Sequence, residues 1–96
     1  MSPVTTTEAV TAAWRAESAR LVAALARMTR DIELAEDVAQ DALVAALEEW
    51  PERGIPANPA AWLMTAAKRR AIDHLRQQAL HQREHEALGH DLEALE

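Results

Sequence analysis

Apolar residues recur near the start of the chain at Val10, Trp14, Leu21, Leu25 and Met28, at spacings of four, seven, four and three. That pattern is one stripe of an α-helix. Ahead of it, Thr5-Thr6-Thr7-Glu8 fits a capping box, in which a hydroxyl takes a free amide and a carboxylate reaches back. The spacing predicts a first helix from about Thr5 to about Arg30. Asp31 is a suitable cap for a second helix ending near Trp50, where Pro51 prevents simple continuation.

Residues 51–59, PERGIPANP, hold three of the four prolines and one of the two glycines, the strongest loop signal inside the chain. Asn58 then caps and Pro59 opens a third helix, expected to run to about Leu88, with Gly89 able to end it. The stretch after Gly89, HDLEALE, is expected to fray.

Two of these helices have clearly divided faces. On the second, Leu34, Val38, Ala39, Ala42, Leu43, Ala45 and Trp50 cover one broad half, while Asp37, Gln40, Asp41, Val44 and Glu48 lie opposite. On the third, Leu63, Met64, Ala67, Ala71 and Leu75 form an apolar arc. Thr65, Arg69, Asp73 and Arg76 make a polar strip on the other side, with Trp62 at its edge and Arg83 in the same seven-residue register as Arg69 and Arg76. Trp14, Leu25, Val38, Leu43, Leu63, Ala67 and Leu75 are expected to share one core.

Composition strengthens the helical reading. Phe and Tyr are absent, and Ala, Leu, Glu and Arg favour helix over strand. The fold class is therefore all-α: a compact three-helix domain over residues 1–96, with its core at about 8–80 and an acidic tail at 81–96. There is no Cys, which excludes disulfides and thiolate metal sites. No stretch has the apolar length of a bilayer span, and MSPVTTTEAV lacks the regions of a signal peptide. These features predict a cytoplasmic protein with no membrane attachment.

Charge is divided unevenly along the chain. Between Asp31 and Glu52 there are eight acids and no Lys or Arg; between Trp62 and Arg83 there are five cations against Asp73 alone. Such asymmetry predicts two surfaces, one of them suited to a polyanion. The plainer reading is a solvated acidic face on one helix and, on the other, an Arg69–Asp73 helical ion pair worth about 0.3–0.5 kcal/mol. Val44, apolar and ringed by carboxylates and an amide, marks the acidic face as a docking spot. Catalysis has no support, since the chain lacks a nucleophile–base constellation and a Gly-rich phosphate loop. His81 and His85 stand i, i+4, but no third ligand has a recognised metal spacing, so neither metal nor cofactor is expected.

AEDVAQDALVAALEEW (35–50), a variable loop and AWLMTAAKRRAIDHLR (61–76) together resemble region 2 of bacterial sigma factors of the extracytoplasmic-function (ECF) group. The resemblance covers about residues 10–80. It rests on AED-x-x-Q followed by an acid, then WL, then A-x-x-x-AID-x-LR. It implies that the acidic helix docks on the β′ clamp helices of core RNA polymerase through Asp37, Gln40, Asp41 and Val44, with Glu48 on the same face. It also implies that the third helix and the preceding loop recognise the promoter minus-ten element and hold its non-template strand, through Thr65, Lys68, Arg69, Ile72, Asp73 and Arg76; Trp62, beside that strip, offers a ring on which an unpaired base can stack. Residues 51–59 would shape the specificity pocket. Family members often have Asn where this chain has Arg69, so the preferred promoter sequence is not inherited. An anti-sigma factor or a regulatory extension is a further partner known in the family, and the family's minus-35-binding domain is not among these residues. The alternatives are a helical interaction module with an acidic docking face, and a helix-turn-helix reader of duplex DNA.

Overall fold

Thr5 caps the first helix of the bundle. Its hydroxyl accepts from the Glu8 amide at 3.1 Å, and the Glu8 carboxylate accepts from the Thr5 amide at 3.3 Å. The computed structural model describes residues 5–95, with side chains through Gly89. It contains three helices: α1 (Thr6–Thr29), α2 (Ile32–Arg53) and α3 (Pro59–Leu95). Each packs against the other two.

The α1–α2 corner takes two residues. Arg30 is left-handed (φ 57°) and its amide closes α1 on the Ala26 carbonyl at 2.7 Å. The Thr29 hydroxyl accepts from the Asp31 amide at 3.2 Å, and the Asp31 carboxylate caps α2 at the Leu34 amide at 3.1 Å. So short a turn forces α1 and α2 to run back along each other.

Two helix ends depart from the sequence expectation. α2 does not stop at Trp50 but carries Pro51 inside its last turn and ends at Arg53. Proline there forfeits only its own bond to the Leu47 carbonyl. Leu47 and Pro51 are both exposed, so water can satisfy that carbonyl, and the Gly54 amide still closes the turn on the Trp50 carbonyl at 2.9 Å. The loop is thereby shortened to residues 54–58. At the other end, α3 passes through Gly89 without a break and continues to Leu95. A single helical glycine costs about 1 kcal/mol, which neighbouring good helix formers such as Ala87 and Leu88 can outweigh. The expected fraying after Gly89 is therefore not seen through Leu95; Glu96 lies outside the described residues.

The core gathers Val10, Leu21 and Leu25 of α1, Leu34, Val38 and Trp50 of α2, and Leu63, Ala67 and Ala71 of α3. Of the expected core, Trp14, Leu43 and Leu75 are only partly buried, packed against its edge. Met28, expected on the α1 stripe, is exposed. Alanines do much of the packing on α2: Ala35, Ala39, Ala42 and Ala46 are fully buried, and their small side chains allow the neighbouring helices to approach closely. From Arg76 to Leu88 every residue of α3 is exposed. At 1.5 Å per residue, the 37-residue helix is about 55 Å long, and its distal half extends past the bundle.

Candidate functional site

Two surfaces of opposite charge lie on different helices. On α2, the buried alanine face fixes what must point outward, and Asp37, Gln40, Asp41, Val44 and Glu48 are all exposed. They occupy about 100° of helix arc. Val44 is 51% exposed, and Leu47, which the sequence reading did not single out, adds a second apolar group at 42%. Helical spacing puts Leu47 one turn beyond Val44, at the edge of the strip. Among the described residues, no carboxylate of this face has a cation within 4 Å.

The second surface begins where α2 ends and α3 starts. Asn58 accepts from the Ala61 amide at 3.1 Å, which fixes the first turn of α3 and the direction in which Trp62 points. A groove of about 460 Å³ there is lined by Glu49, Arg53, Trp62, Thr65, Ala66, Arg69 and Arg70. Trp62, Thr65 and Arg69 were expected in the strip; Glu49, Arg53 and Arg70 were not. Arg53 reaches the groove because α2 continues beyond Pro51, contrary to the simplest proline rule. Arg70 is half-buried, and its guanidinium donates to the Ala66 carbonyl at 3.1 Å, which holds the charge along the helix wall. Glu49 is the one carboxylate in this lining, beside three guanidinium groups.

Arg69 also lines the next groove, of about 300 Å³, with Ile72, Asp73 and Arg76. Arg69 and Asp73 do not form the helical ion pair that their spacing allows; among the described residues the one contact within 4 Å between a basic side chain and a carboxylate is His81–Glu84, at 3.9 Å. Among the described residues, both guanidinium groups of the strip are thus free of carboxylates within 4 Å. Ile72, exposed among them, adds an apolar step. Lys68 is exposed but lines neither groove, because it stands about 100° around the helix from Arg69. Cations beside apolar and aromatic groups suit a single strand, whose backbone is anionic and whose bases have flat faces.

Trp62 is partly buried, and its ring meets that of Trp50, so one face of the groove is anchored in the core. His81 and His85 lie on an exposed stretch of α3 with Gln78 and Gln82. Among the described residues, no three His, Cys, Asp or Glu side chains are grouped to hold a metal ion. None of the described helices is long and apolar enough to cross a membrane.

Comparison with known proteins places this arrangement. The family model for sigma-70 region 2 matches residues 11–81. The chain belongs to that family, and the match includes both charged surfaces. An uncharacterised protein of Rhizobium meliloti (strain 1021) is 43% identical over 56 residues, which is 58% of this chain. The matched stretch spans only 13% of that relative's length. No solved structure matches the chain at a significant level.

Proposed function

We propose that the chain acts as a sigma-factor domain of the ECF group. In this reading α2 docks on the β′ clamp helices of core RNA polymerase through Asp37, Gln40, Asp41, Val44, Leu47 and Glu48. The α2–α3 groove and the strip along α3 recognise the promoter minus-ten element and hold the non-template strand as it opens. Trp62 offers a face for a base, Thr65 and Asp73 offer hydrogen bonds, and Arg69 and Arg76 take phosphate. The domain is a specificity component and not an enzyme, and it works in the cytoplasm with the polymerase.

The observation that carries this reading is the division of charge within one small bundle of the sigma-70 region 2 family. An acidic, partly apolar face lies on α2, and unpaired arginines line grooves on α3. Electrostatics favours this division: the acidic face attracts a basic partner surface and repels DNA from the wrong side. Extruding a base costs a few kcal/mol, which contacts in a groove of this kind can offset. Five loop residues join long helices here, unlike the short turn of a duplex-reading helix-turn-helix.

Run-off transcription with core polymerase tests the proposal. Addition of the chain should give initiation at discrete start sites and retention of the chain by the polymerase. Absence of both would rule out the sigma reading.

A further inference from the structure

The strip assigned above ends at Arg76, but the grooves along α3 do not. A further groove of about 290 Å³ is lined by Arg76, Ala79, Leu80 and Arg83, and it shares Arg76 with the groove before it. Arg83 follows Arg76 by seven residues, as Arg76 follows Arg69. Three guanidinium groups therefore recur about 10 Å apart along nearly one line of the helix. Among the described residues, none has a carboxylate within 4 Å. Between the last two stands Leu80, 55% exposed, on a stretch of helix that no other part of the bundle covers. The sign then reverses at the carboxylates Glu84 and Glu86, both exposed.

We infer that Leu80 and Arg83 extend the nucleic-acid track of α3 by two further turns. They carry the same DNA strand onward from Arg76 and release it at Glu84. The inference rests on the reading of α3 as the DNA face and adds a surface that this reading does not require. Two features favour DNA over an acidic protein segment. The groove is continuous with the one that holds Ile72 and Arg76, and its cations keep the same seven-residue period. Arg83 supplies a phosphate contact, and Leu80 offers the apolar face against which a base can lie. The arginine-bearing length grows from about 10 Å to about 21 Å, the length of about six phosphates on one strand of a duplex.

The test uses the chain bound to core polymerase and mixed-sequence single-stranded DNA titrated at several salt concentrations. Arg83→Ala should weaken binding several-fold at low salt and lower the salt slope by about one unit. Arg83→Lys should retain the slope. Leu80→Ala should weaken binding with the slope unchanged. Both sites are exposed on a helix that packs on nothing there, so helicity by circular dichroism should stay at the wild-type value. If Arg76→Ala weakens binding while Arg83→Ala and Leu80→Ala match wild type, this inference is overturned and the reading of α3 stands. If Arg76→Ala is also silent, both fail. If Arg83→Ala loosens the grip on polymerase without DNA present, the surface is a protein contact and the inference is again overturned.

Discussion

Trp62 meets Trp50 edge to face, with ring centroids 5.4 Å apart and planes at 79°. The pair joins the last turns of α2 to the first turn of α3 across the five-residue loop. Trp50 is 2% exposed, and its indole nitrogen has no hydrogen-bond partner among the described residues, whereas Trp62 keeps part of its ring on the groove. The two tryptophans should therefore separate stability from binding. Trp50→Ala is expected to cost about 3–5 kcal/mol, enough to unfold a domain of this size. Trp62→Phe should preserve the melting temperature within a few degrees and still weaken single-strand binding. Thermal melts and fluorescence titrations of the two variants check this.

Gly54 holds the exit from α2 at φ 92°, ψ 160°, a conformation nearly confined to glycine. A Cβ there would meet no atom within 4 Å, so any penalty is purely conformational. Gly54→Ala should cost about 1–3 kcal/mol in urea denaturation with the m-value unchanged.

Leu63 and Leu75 lie on the same apolar arc of α3 but differ in burial. Leu63 is 1% exposed, and Leu63→Ala should cost about 2–5 kcal/mol. Leu75 only packs against the core from its edge, so Leu75→Ala should cost clearly less. Denaturant midpoints for the pair measure the difference.

Helix periodicity made the core around Leu25, Val38, Leu63 and Ala67 legible, because burial follows the stripe once three helices pack together. Leu75 was misjudged because periodicity says which way a residue faces and nothing about whether another helix reaches it. The same limit hid that α3 leaves the bundle at Arg76, a turn before the expected core boundary near residue 80. Pro51 misled for a different reason: proline breaks a helix interior, but in the last turn it loses a single hydrogen bond. That one error placed Arg53 in a loop when it stands in the last turn of α2. The outward strip on α2 and the residues from Thr65 to Arg76 on α3 were legible, since both oppose a well-marked apolar arc. That Arg69 and Asp73 stand unpaired required side-chain positions.

Asp41 sits at the centre of the exposed α2 strip. Asp41→Arg should weaken binding to β′ clamp helices about tenfold at low salt and less at high salt, since exposed charges are screened. Helicity should be unaffected, because the side chain contributes nothing to the core. Affinity titrations at two ionic strengths give the answer.

The central claim is that one helix binds polymerase and another binds DNA. Its most direct test measures both activities on the same two variants, Asp41→Arg and Arg76→Ala. Binding of each chain to core polymerase is measured first, and binding of the resulting complex to single-stranded minus-ten DNA second. Asp41→Arg should lose polymerase affinity. Arg76→Ala should bind polymerase as wild type does, yet hold the strand more weakly and with a salt slope lower by about one unit. Wild-type behaviour of both variants in both assays would contradict the account, leaving two charged helix faces with no partner.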